Sequence, residues 1–95
     1  MTITDKSELK TGKVLVEFWA EWCGPCKTLK PVVETFSNEN DNVKVYFCNV
    51  DDDSEMASAF GVRSIPTMVY MEDGEVKGRK VGVVPPAVIE ELVNS

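Results

Sequence analysis

Residues 14–19 read Val-Leu-Val-Glu-Phe-Trp, apolar at all but one of six positions. A strand of that kind has no polar face to give to water, so it belongs in a sheet covered on both sides. The rest of the chain must supply the covering layers.

It does so in a regular alternation. Leu29, Val32, Val33 and Phe36 recur at i, i+3, i+4 and i+7, one apolar helical stripe. Pro31 lies within it and predicts a kink. Residues 44–50 (KVYFCNV) form a second strand of similar character. Asp52, Asp53, Ser54 and Glu55 offer caps for a short helix ending at Gly61, with Met56 and Phe60 on one face. Residues 67–72 and 75–81 are strands joined by the hairpin signal Asp73-Gly74. Pro85 and Pro86 open a last helix whose Val88, Ile89, Leu92 and Val93 make a docking face. The order β-α-β-α-β-β-α requires the first two strands to run parallel through a right-handed crossover, and the hairpin to add antiparallel strands. The expectation is an α/β fold with three layers, α/β/α, around a mixed sheet. Ninety-five residues leave no room for a second core, so residues 1–95 are expected to be one domain.

Composition narrows the partners. The chain is 43% hydrophobic and 27% charged, the balance of a soluble globular protein. A net charge of -6 without a basic cluster argues against a nucleic-acid partner. Residues 1–13 hold no apolar run of signal-peptide length, and no segment is long enough to span a bilayer, so a cytoplasmic address without membrane attachment is expected.

The chemistry lies in EWCGPCK, residues 21–27, where Cys23 and Cys26 stand three apart. The pair reads as half of a metal site, a structural staple, or a dithiol that opens and closes. Three cysteines, Cys48 being the third, do not build a disulfide scaffold, and a staple does not persist in a reducing compartment. Histidine is absent, which removes Cys-His catalysis and mixed Cys/His zinc sites. A metal site would need two thiolates from each of two chains. The pair falls where a buried strand ends and a helix begins. Free amides and the helix dipole there favour an anion, moving the Cys23 thiol from about 8.5 toward neutrality. Cys26, one turn further in, is less exposed. Gly24 allows the bend, Pro25 fixes φ where its missing N–H loses nothing, and an i, i+3 pair meets the Cα spacing of a disulfide. Spacing alone does not choose among the three readings.

WCGPC, preceded by VLVEFWAE and followed by Lys27 and an apolar helix, closely resembles the thioredoxin family. So do FGVRSIPT at residues 60–67, DGEV at 73–76 and Val81-Gly82, in the family's order and approximate spacing. The C-x-x-C motif is the family's established mark. The resemblance implies a thioredoxin-like fold and a protein-disulfide reductase that donates electrons to disulfide-containing target proteins. Cys23 would attack the target disulfide and Cys26 would resolve the mixed disulfide, with Gly24 and Pro25 completing the active-site turn. Pro66 matches the family's cis-proline, and Ile65 would offer main-chain groups to an extended target. Trp22, Gly82 and Val83 would join them in a shallow apolar platform. The resemblance implies thioredoxin reductase as electron source, a monomer, and no cofactor or metal.

Three departures carry consequences. Glu17 stands where the family usually has Asp; burial should hold it protonated, and it is expected to accept the proton of Cys26. Phe47 stands where many bacterial members place a lysine, and without that cation Glu17 is expected to hold its proton more firmly. Only thirteen residues precede the first clear strand, too few for the family's opening strand and helix. A central four-stranded sheet is therefore expected, the fifth strand reduced to a stub at Thr2-Ile3-Thr4 or absent, and residues 44–50 an open edge if it is absent. Trp19 is expected in the core, Trp22 on the surface, Cys48 as a small buried hydrophobe, and Asp51-Asp52-Asp53 as a capping loop. Two rival readings are a binding module using the same platform and a dimer holding zinc or an iron–sulfur cluster.

Overall fold

The computed structural model describes residues 1–94. In chain order the elements are β1 (Thr2–Ile3), a 3₁₀ turn (Lys6–Lys10), β2 (Lys13–Trp19), α1 (Gly24–Glu39), β3 (Val43–Asn49), α2 (Ser54–Ala59), β4 (Thr67–Glu72), β5 (Glu75–Val81) and α3 (Pro86–Asn94). The sheet order is β1-β3-β2-β4-β5, with β2 parallel to β3 and antiparallel to β4.

β2 is the centre, as its composition requires. Its residues 14–18 are all buried. Alternation sends Val14, Val16 and Phe18 to one face, where they pack with Met56 and Ala57 of α2 and Leu9 of the 3₁₀ turn. Leu15 faces the other way and packs with Leu29, Val33 and Phe36 of α1 and Ile89, Leu92 and Val93 of α3. Glu17 shares that second face. Its lateral neighbours are Phe47 on β3 and Met68 on β4. Cys48 is buried in the α2-side core, as expected of a small hydrophobe.

The sheet has five strands, four of full length and the fifth reduced to the expected N-terminal stub. β1 survives as two residues, Thr2 opposite Val45 and Ile3 opposite Tyr46, running parallel to β3. The Val45 amide donates to the Met1 carbonyl at 2.7 Å, and the hydroxyls of Thr2 and buried Ser37 share a hydrogen bond. Ile3 enters the α2-side core. A stub is kept because it pairs two edge groups and buries one apolar side chain at little entropic loss. Pro31 sits inside α1, whose helix runs unbroken through it from Gly24 to Glu39.

Candidate active site

Cys23 is the N-cap of α1, in extended conformation, with Gly24 and Pro25 opening the first turn. The cap acceptor is its sulfur: the Cys26 amide donates to Cys23 Sγ at 3.3 Å. One of the orphan amides at a helix start is thereby turned onto the reactive atom, and the same interaction favours a thiolate. Cys23 and Cys26 are disulfide-bonded, with Cα atoms 5.3 Å apart. Cys23 is 5% exposed and Cys26 1% in this state, so the first is the more accessible of two well-covered residues.

Three further segments converge on the pair. The Ile65–Pro66 bond is cis, and the Ile65 carbonyl oxygen lies 3.8 Å from Cys23 Sγ. The Thr67 hydroxyl donates to the Ser64 carbonyl at 2.6 Å and closes that turn. Gly82, at φ 92° where a side chain would be strained, donates its amide to the Pro66 carbonyl at 2.8 Å. Val83 is therefore carried beside the proline loop and is exposed, as is Val81. Trp22 is 71% exposed, the most open large apolar residue among those described, and its Nε1–H donates to Asp51 Oδ2 at 2.9 Å. Of the residues expected in a platform, Trp22 precedes Cys23 and is exposed, Ile65 is partly exposed with its carbonyl near the Cys23 sulfur, Pro66 is buried, and Gly82 ties exposed Val83 to the proline loop; Gly24 and Pro25 are exposed.

Glu17 is fully buried, and neither carboxylate oxygen has a hydrogen-bond partner among the described residues. Burial pushes its pKa up to about 8; the Lys30 ammonium partly opposes this and Glu34 adds to it. Lys30 and Glu34 are the i+4 and i+8 residues from Cys26, so the groups that sense Glu17 lie on the stripe of α1 that begins at the second cysteine. The family's lysine is absent from β3, but a cation of another element acts on Glu17. With Phe47 on β3, the positive charge comes from the helix: Lys30 Nζ lies 4.6 Å from the Trp19 ring centroid and 5.3 Å from that of Phe47. Trp19 is accordingly half-buried at the rim rather than deep in the core.

The acidic run divides its labour. Asp53 caps α2 by accepting the Met56 amide at 3.1 Å, as expected, whereas Asp51 holds the Trp22 indole. Neither the bond from Trp22 to Asp51 nor the place of Lys30 over Trp19 and Phe47 is legible in the sequence. Asp51 belongs to a run that reads as a capping loop, and Lys30 lies outside the apolar stripe of α1. The signal for Lys30 was its place four residues after Cys26.

A mixed sheet between helices, with a C-x-x-C disulfide capping a helix beside a cis-proline loop, defines a thiol–disulfide exchange protein. The comparisons make that narrower. The family model described as Thioredoxin matches residues 4–95. Thioredoxin of Bacillus subtilis is 45% identical over 95 residues, covering 96% of this chain and 91% of that protein. That of Rickettsia bellii is 42% identical, covering 98% and 94%. Among solved structures, a mutant thioredoxin from Halobacterium salinarum superposes with a TM-score of 0.86 at 35% identity, over 99% of this chain and 87% of that one. The chain belongs to the thioredoxin family. Its activity is dithiol–disulfide exchange with disulfide-containing target proteins through Cys23 and Cys26.

Proposed function

We propose that Cys23 is the attacking sulfur, Cys26 the resolving one, and Glu17 the proton acceptor between the two steps. In the reduced protein, Cys23 thiolate attacks one sulfur of a target disulfide. A bond forms between Cys23 and the target, the target's other sulfur leaves as a thiolate, and that thiolate takes a proton from water. Glu17 then removes the Cys26 proton, and Cys26 attacks Cys23 Sγ. The mixed disulfide breaks, the second target thiolate leaves and is protonated, and the protein is left oxidised by two electrons. The observation that carries the order of attack is the Cys26 amide aimed at Cys23 Sγ, which favours negative charge on the first sulfur only.

The exposed apolar residues Trp22, Val81 and Val83 around the pair support a platform for an unfolded or extended target segment, with the Ile65 main chain alongside. The cycle needs a two-electron donor, for which thioredoxin reductase is the reading the family favours. Two cores on opposite faces of one sheet support a single domain, working as a monomer. No helix among the described residues is long and apolar enough to cross a membrane, and a reducing compartment such as the cytoplasm suits a dithiol that must stay reduced.

The test is reduction of a disulfide-linked protein such as insulin, driven by dithiothreitol. Catalysis should vanish in Cys23→Ser. In Cys26→Ser a stable mixed disulfide with the target should accumulate. Full catalysis in Cys23→Ser would refute the assignment.

A further inference from the structure

β5 is an outer strand of the sheet, and no strand lies beyond it among the described residues. It is exposed along its length, with only Gly78 half-buried. An outer strand turns every second residue's N–H and C=O away from its neighbour, and those groups need a partner or protection. Here the protection covers one half. The pairing with β4 slips so that Gly78 stands opposite Tyr70 and Val76 opposite Met71, leaving Lys77 without an opposite residue. Lys77 is also tied to Glu75 at 3.4 Å. Over residues 78–81 the register is unbroken. This open half leads to the disulfide. Gly82, next in the chain, donates its amide to the Pro66 carbonyl, and the adjoining Ile65 carbonyl lies 3.8 Å from Cys23 Sγ.

The same half carries two adjacent cations on a chain of net charge -6. Arg79 stands opposite Val69, on the α2 side, and donates to the Phe60 carbonyl at 2.7 Å. That bond leaves most of the guanidinium donors open. Lys80 stands opposite Met68, on the side of α1 and α3. There it lines a cleft of about 280 Å³ with Gly78, Arg79, Glu91 and Leu92, Glu91 being the one acid in the lining. An extended segment laid along this edge places successive side chains on opposite faces. Two consecutive acidic residues would therefore meet Lys80 on one face and Arg79 on the other.

We propose that residues 78–81 are a second contact surface for the disulfide-bearing target itself, taking an acidic stretch of it as an added strand. The protein thereby selects targets with paired Asp or Glu a short way from the reacting cysteine. The proposal rests on the reading that the target's cysteine is attacked by Cys23 beside the Ile65 main chain. Four residues of strand span about 13 Å, which puts the acidic pair roughly four to eight residues from that cysteine.

The experiment uses synthetic peptides whose single cysteine is disulfide-linked to thionitrobenzoate, with an Asp-Asp, Ser-Ser or Lys-Lys pair about six residues away. The rate of thionitrobenzoate release by the reduced protein reports attack on the peptide sulfur. The acidic peptide should react about five- to tenfold faster than the serine peptide at low salt, the lysine peptide slowest, and the differences should close at high salt. Net charge alone sets the opposite order, since an acidic chain repels an acidic peptide. Lys80→Glu should reverse the ranking of the acidic and lysine peptides; Lys10→Glu, the same charge change on the 3₁₀ turn, should keep it. Of two acidic peptides N-methylated at alternate backbone amides, one should lose the advantage and the other keep it, because only every second residue faces β5. Equal rates for the three peptides, or an order that survives Lys80→Glu, overturn the proposal and leave the exchange chemistry intact. An acidic preference that both N-methylated peptides retain overturns the added strand. Release by Cys23→Ser at the original rate overturns instead the reading of the site on which the proposal rests.

Discussion

The backbone amide of Cys26 points at the sulfur of Cys23 across 3.3 Å, so the first cysteine caps the very helix that contains the second. The relationship makes the two sulfurs unequal. In the reduced protein Cys23 gains a donor and the positive end of α1, while Cys26 gives its amide away and lies deeper.

The first prediction concerns which thiol reacts. Alkylation of the reduced protein near pH 7, read by mass spectrometry, should label Cys23 fastest, with a midpoint below that of Cys26. Cys48 should stay unlabelled while the protein is folded, because burial, with Asp53 adding to it, pushes its thiol up to about 11. Equal labelling of Cys23 and Cys26 across pH would contradict the asymmetry.

Glu17 predicts an unusual pH dependence of stability. Its folded pKa of about 8 lies above the usual 4.5 of an unfolded chain. Between those values the unfolded state has lost a proton that the folded state keeps, so stability is fully present below pH 4.5 and is lost as pH rises to about 8. The loss is on the order of 4–5 kcal/mol. Urea unfolding of the oxidised protein at several pH values should reveal this slope, and Glu17→Gln should flatten it and raise stability above neutral pH. A slope that persists in Glu17→Gln would assign it to other groups.

Asp51 anchors Trp22 by a 2.9 Å bond from the indole N–H. Without it the most exposed large apolar residue of the platform is free to turn. Asp51→Ala should raise KM for a protein target about two- to fivefold, the worth of one exposed hydrogen bond, and leave kcat near its original value. Trp22 fluorescence should report the release. An unchanged KM would mean that the indole orientation does not matter for binding.

Thr67 closes the turn that contains the cis-proline from a buried position, its hydroxyl 2.6 Å from the Ser64 carbonyl. Thr67→Val keeps the shape and removes the donor. Stability should fall by about 1 kcal/mol, seen as a drop in Tm of about 4–8 °C for a chain of this size. Larger losses would point to collapse of the loop beyond one bond.

The elements were legible because each is written in local pattern. The five-in-six apolar run, the i, i+3, i+4, i+7 stripe, and the Asp73-Gly74 turn gave strand, helix and hairpin where they stand. The surviving β1 was not decided by pattern. Two residues carry no period, and they hold a place only because Val45, Tyr46 and Ser37 are there to receive them. The cysteine pair, the proline loop and Trp22 were legible through motif. Their convergence depended on Gly82 reaching Pro66 and Asp51 reaching Trp22 across the chain.

The sequence by itself determined that a sheet would be buried on both faces, that two sulfurs would open a helix, and that one acid would be trapped in an apolar strand. Those outcomes follow from residue type and short-range spacing, which act within a turn or a strand. Tertiary structure alone decided what stands beside that acid. The charge of a lysine thirteen positions along the chain acts on it because α1 packs on that face of the sheet, with the ammonium over the Trp19 and Phe47 rings. Charge acts through space, and the distance between Glu17 and Lys30 exists only once helix and sheet have packed.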